Sequence, residues 1–184
     1  MKTSLLLVMG LLMVSVAVQA QEVDLKKHPG YINLDEIEIP DKAGEITDID
    51  LGPALLQLLQ LGKEEDDLKD GLAGILSIRV KSFEVEYGEA QKIRSIMDKY
   101  EKQLVKDNWV RLVRTKKGEE MANISMKFEG GKVVGFFLMS IEPGNEVSFV
   151  NIFGGGIDLE SIKDFGLGLS DSTMNSIEKS LKKF

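Results

Sequence analysis

Four apolar segments follow one another between Trp109 and Phe153 with almost nothing between them, and no other feature constrains the fold as tightly. They are Trp109–Thr115, Met121–Phe128, Lys132–Glu142 and Glu146–Phe153. The links are Lys116-Lys-Gly118, Glu129-Gly-Gly131 and Pro143-Gly-Asn145, each short and each bearing glycine. Parallel strands need crossovers of a dozen or more residues, so links this short demand antiparallel hairpins. In the second segment Ala122, Ile124, Met126 and Phe128 share one parity while Asn123, Ser125 and Lys127 share the other, which reads as burial of one face. The third and fourth are apolar on both parities and belong in the middle of the sheet. Phe136 and Phe137 must point to opposite sides, so one of them has to meet a second layer, a partner or a ligand.

The N-terminal half alternates between patterns. Tyr31–Ile39 reads as a strand or extended pair ended by Pro40, and Ile46–Leu51 as a short strand. Gly52-Pro53 then opens a helix whose apolar face is Ala54, Leu55, Leu58, Leu59 and Leu61, with Gly62 as its C-cap. A second short helix follows, with Glu64–Asp67 crowding its first turn and Leu68 and Leu72 facing inward. From Ile75 the period becomes two, but Leu76, Ile78 and Val80 hold one parity and Phe83, Val85 and Tyr87 the other. A β-bulge at Lys81-Ser82 is the expected remedy. Ala90, Ile93, Met97, Tyr100 and Leu104 mark an amphipathic helix over about 89–107. The whole predicts an α+β domain: an antiparallel sheet of about five strands, with the 89–107 helix and the 53–74 pair packed on one face.

The chain begins with Lys2, an uncharged apolar run from Leu5 to Val18, and Val18-Gln19-Ala20. This is the pattern of a secretory signal peptide over 1–20, cut after Ala20, and the run falls short of the ~20 residues that cross a bilayer. Residues 21–30 read as a flexible lead-in, 31–170 as one domain and 171–184 as an amphipathic helix. There is no cysteine, which removes disulfides, thiolate chemistry and N-terminal lipidation. A periplasmic or secreted protein, not transmembrane once the leader is removed, is expected. Net charge is −7, so nucleic acid is a poor candidate partner.

Residues Phe149–Asp158 read FVNIFGGGID, the nearest approach to a chemical motif. A phosphate loop needs a closing Gly-Lys-Ser/Thr; here a carboxylate, Asp158, stands in the phosphate's place. The stretch reads as a tight turn, with Asp158 capping a helix over Leu159–Asp164. His28, the one histidine, sits in the polar lead-in with no carboxylate spaced to orient it, and is expected to be an exposed bystander. Asp48 and Asp50 share a face of a short strand and could chelate Ca²⁺, although such pairs are more often solvated edge charges. No Gly-x-Ser-x-Gly elbow exists. No catalytic residue, cofactor or metal ligand is therefore assigned. In the tail, Asp171-Ser-Thr173 precedes Met174, Ile177, Leu181 and Phe184 on one side, a possible interaction surface, with Lys179, Lys182 and Lys183 on the other.

Taken in order, Gly30-Tyr31, Pro53-Ala-Leu-Leu56, Ser77-Ile-Arg-Val80 with Phe83-Glu84, Trp109–Arg114, and Val150-Asn-Ile152 with Gly156-Ile-Asp158 resemble the bacterial family called domain of unknown function 4252. The resemblance covers roughly residues 30–165. It implies a small exported protein, often a lipoprotein in relatives, with no established activity, cofactor or catalytic residues. This chain lacks the lipobox cysteine, which favours a soluble form. The expected function is a non-enzymatic binding or interaction module of the bacterial cell envelope, with an envelope protein as its candidate partner. The alternatives are a small-molecule or lipid carrier with a sheet–helix pocket and, behind it, a carboxylate-based hydrolase.

Overall fold

The computed structural model describes residues 24–61, 72–86 and 88–157. The expected signal peptide, the second short helix, the helix after Asp158 and the amphipathic tail with Met174, Ile177, Leu181 and Phe184 lie outside the described residues.

Six strands form one antiparallel sheet: β1 (Ile46–Leu51), β2 (Ile75–Glu84), β3 (Val110–Lys117), β4 (Glu120–Glu129), β5 (Lys132–Ile141) and β6 (Glu146–Gly154). Their spatial order is β1-β2-β6-β5-β4-β3. The run β3–β6 is the meander that its short links require, and the doubly apolar β5 and β6 are central. Two helices complete the described fold, α1 (Pro53–Leu61) and α2 (Ala90–Lys106).

Both faces of the sheet are buried. The first face carries Phe83, Met121, Phe137, Met139, Ile141, Val147 and Phe149. Ile93, Met97, Tyr100 and Leu104 of α2 pack against it, as do Ile32, Leu34 and Ile37 of the N-terminal segment. The second face carries Ile78, Val113, Ile124, Met126, Phe136, Leu138, Val150 and Ile152, joined by Leu56 of α1, Leu72 and Ile157. Phe136 and Phe137 are each fully buried, in opposite clusters. Burying a side chain of that size stabilises by roughly 2–3 kcal/mol, so both layers are needed.

Four expectations are corrected by this arrangement. The helices do not share a face, since α2 belongs to the first cluster and Leu56 of α1 to the second. Within α1 the buried residue is Leu56, while the supposed inner face, Leu55, Leu58, Leu59 and Leu61, is exposed. β2 keeps an unbroken register from Ser77 to Glu84, and its irregularity falls between Ile75 and Ser77. No bulge is needed at Lys81-Ser82, because both faces of β2 are covered and long basic stems fill the first. Finally, Tyr31–Ile39 is not a strand; it contains a 3₁₀ turn, Leu34–Glu36, capped by Asn33.

Candidate functional site

The N-terminal segment is tied to the sheet by buried polar groups. Asn151, fully buried on β6, accepts the Ile32 N–H through Oδ1 at 2.8 Å. Its Nδ2 donates to Gly30 O at 3.0 Å and Phe136 O at 3.2 Å. Gly30 and Gly135 touch backbone to backbone: a Cβ on Gly135 would stand 2.7 Å from the Gly30 Cα. Only glycine allows that approach. His28 lies beside this contact, its ring 5.1 Å from that of Phe153 and its Nδ1 accepting the Gly30 N–H at 3.1 Å. Burial depresses its pKa, with Glu129 and a hydrogen bond to the Gly154 backbone opposing. His28 is half-buried beside a buried Gly30, so it is not the exposed bystander expected.

Next to this clamp lies an ionic cluster. Arg79, nearly buried on β2, donates to Asp50 Oδ2 through Nε at 3.1 Å and to Asp35 Oδ1 through Nη2 at 2.8 Å. Its Nη1 reaches the Tyr31 hydroxyl at 3.3 Å, and the guanidinium lies 5.4 Å from the centre of the Tyr31 ring. Lys81 donates to Leu34 O at 3.2 Å and pairs with Asp48 at 3.3 Å. Burial works against the Arg79 charge, but Asp35 and Asp50 outweigh it and raise the pKa above its ordinary value. Asp48 and Asp50, weighed from sequence as Ca²⁺ ligands, are thus partners of Lys81 and Arg79, which face them in strand register. Tyr100 donates to Asn33 O at 2.7 Å, and burial first, then Glu36 and Asp35, push its pKa up to about 12. Asp35 and the Ile32 and Leu34 carbonyls tie the segment to Arg79 and Lys81, while Tyr31, Asp35, Asp50 and Arg79 also line a small pocket of about 140 Å³.

A larger groove lies on the opposite face. A groove of about 1030 Å³ runs between α1 and the sheet end, floored by Leu56, Ile75, Val133 and Ile157 and bordered by the amides of Gln57 and Gln60. Gly155 and Gly156 form part of its wall. The glycine turn is built by contact, as expected of a turn: Gly155 N–H donates to Gly74 O at 2.8 Å, and a Cβ on Gly154 would collide with that same oxygen. Above the groove α1 turns Leu58 and Leu61 outward, 63% and 81% exposed, with Leu55 and Leu59 beside them. Five of the nine residues of α1 are leucine, yet Leu56 alone among them is buried. Sequence reasoning found the leucines but assigned them inward, because periodicity gives spacing and not which side meets the sheet.

Among the described residues no helix is long and apolar enough to cross a membrane. No curated protein and no solved structure matches the chain. Residues 41–165 match one family model, and they span β1 through β6 together with α1, α2 and the groove. The chain belongs to the family described as Domain of unknown function (DUF4252).

Proposed function

We propose that this protein is a non-enzymatic binding module exported to the cell envelope, and that the α1 leucine ridge with its adjoining groove receives an apolar segment of a partner protein. The observation that carries this reading is the outward set of Leu55, Leu58, Leu59 and Leu61 on a helix whose inner contact is Leu56. Apolar patches of this kind, rimmed by polar groups such as Gln57 and Gln60, favour association. Export rests on the leader-like residues 1–20. A second reading, a carrier of a small amphiphile, is favoured by the groove, whose volume matches the upper range of ligand sites at roughly 300–1,000 Å³.

Native mass spectrometry of the protein released gently from its own envelope tests both. A protein-sized addition that is lost from a Leu58→Glu, Leu61→Glu variant supports the module. An added mass of a few hundred daltons, lost on denaturation, favours the carrier. A bare chain that also gives no cross-linked product in intact cells overturns the proposal. The same measurement reads the mature N-terminus, which export with cleavage after Ala20 places at Gln21.

A further inference from the structure

The two edges of the sheet are complementary to each other. From Lys92 to Lys117 the chain carries nine lysines and arginines against three acids, Asp98, Glu101 and Asp107, although the whole chain is at −7. That basic stretch is α2 and edge strand β3. The other edge strand, β1, carries only acidic charges, Asp48 and Asp50, whose side chains pair with Lys81 and Arg79 yet stay 58% exposed.

Directly opposed residues in an antiparallel pair share a face, so the faces can be assigned from register. Asp48 and Asp50 oppose Lys81 and Arg79 on the first face. Arg114 and Lys116 oppose Asn123 and Met121, also on the first face. Ile49 and Leu51 oppose Val80 and Ile78 on the second face, and Val113 and Thr115 oppose Ile124 and Ala122 there. Every neighbouring pair from β1 to β3 is antiparallel, so β1 and β3 run in opposite directions.

A second copy placed alongside can therefore continue the sheet in the antiparallel sense with like faces aligned. One register satisfies both faces: Leu51 against Val113, Asp50 against Arg114, Ile49 against Thr115, Asp48 against Lys116 and Thr47 against Lys117. The backbone agrees. The hairpin closes at Lys117 and Glu120 around Gly118 (φ 64°), and Glu84 N–H donates to Glu45 O. Alternation along each strand from these points turns the N–H and C=O groups of Arg114, Lys116, Asp48 and Asp50 outward, where no described strand pairs with them. Charges on an edge ordinarily discourage strand addition, but that device works against a like or uncharged edge and not against one of opposite sign.

We propose that the β3 edge of one copy receives the β1 edge of a second copy, extending the sheet from chain to chain. The contact is heterologous, so a joined pair still offers one edge of each kind. An edge contact buries little area and its ion pairs are exposed, so association is weak, concentration-dependent and screened by salt.

The chain has no cysteine, which gives a direct test in the full chain. Chains carrying Ile49→Cys and Thr115→Cys are mixed under mild oxidation. Opposed Cα atoms in such a ladder, about 4.5–5.5 Å apart, lie within disulfide reach, whereas within one copy the edges are five strand spacings, roughly 24 Å, apart. The expected result is a mixed disulfide dimer several-fold above that from Ile49→Cys with Val110→Cys, a pair on the same face but out of register. Adding Arg114→Glu and Lys116→Glu to the Thr115→Cys chain, with folding checked by circular dichroism, should return the yield to that control, as should high salt. Equal yields from both mixtures, or a yield indifferent to the charge reversal, overturn the proposal.

Discussion

Asn151 and Ile32 stand 119 positions apart and are joined by a buried hydrogen bond of 2.8 Å, the backbone N–H of Ile32 donating to Oδ1. The same side chain holds Gly30 O and Phe136 O, so one asparagine replaces the strand ladder that the N-terminal segment lacks. Asn151→Leu keeps the branched shape and removes all three bonds. Leaving buried backbone groups unpaired costs about 1–3 kcal/mol each, and a total loss of about 3 kcal/mol is expected in urea denaturation. A loss below about 1 kcal/mol would show that the segment is held by its apolar residues alone.

Gly135→Ala should damage the same clamp. Its Cβ would meet both the Gly30 Cα and the far edge of the Trp109 ring at 2.7 Å, and the first of these is backbone that cannot turn aside. Overpacking of this kind costs about 1–3 kcal/mol. The single tryptophan reports it directly, through a changed emission spectrum in the folded state.

The Tyr100 hydroxyl ionises at about 12 in the fold against an ordinary 10.0. A folded pKa above the unfolded one gives stability that is complete below pH 10.0 and is lost as pH rises towards 12. Tyr100→Phe should therefore be the less stable protein at neutral pH, having lost the bond to Asn33 O, and should show a shallower decline in the alkaline window. Parallel alkaline profiles for the two proteins would contradict this.

His28 works in the other direction. Its folded pKa lies below 6.5, so its contribution is complete above 6.5 and is lost as pH falls towards the folded value. Protonation at Nδ1 also ends its role as acceptor for the Gly30 N–H. His28→Phe keeps an aromatic ring beside Phe153 and removes the titration. The difference in stability between the two proteins should therefore change as pH drops through 6.5, and a difference that is constant with pH would count against the assignment.

Leu58→Glu with Leu61→Glu should leave thermal stability within about 0.5 kcal/mol, as exposed positions do. The same pair should abolish capture of the partner in envelope cross-linking. A large drop in stability would mean instead that these leucines are covered in the free protein.

The parts of this fold that were legible in the sequence are those decided within a few residues. Glycine-bearing links fix hairpins between β3, β4, β5 and β6, and double-sided apolar runs put β5 and β6 in the middle. Spacings of three and four placed α2 and named Ile93, Met97, Tyr100 and Leu104 as its inner side. The candidate site was less legible. Leu55, Leu58, Leu59 and Leu61 were visible as a group, but nothing local distinguishes a leucine facing the sheet from one facing water when Leu56 stands among them. In the same way Arg79 and Lys81 broke the apolar pattern of β2, and a bulge was the local explanation. The actual explanation lies more than forty residues away, in carbonyls and carboxylates of the 30–37 segment.

What the sequence determined by itself is therefore the four-strand antiparallel meander, its central strands and helix α2, because turn chemistry and side-chain period act over short distances. The tertiary structure alone decided that α1 and α2 occupy opposite faces, that Asn151 and Arg79 fasten the N-terminal segment, and that Asp48 and Asp50 are neutralised by Lys81 and Arg79. Those outcomes depend on which buried polar groups find partners across the fold, and a partner distant in the chain leaves no trace in the residues beside it.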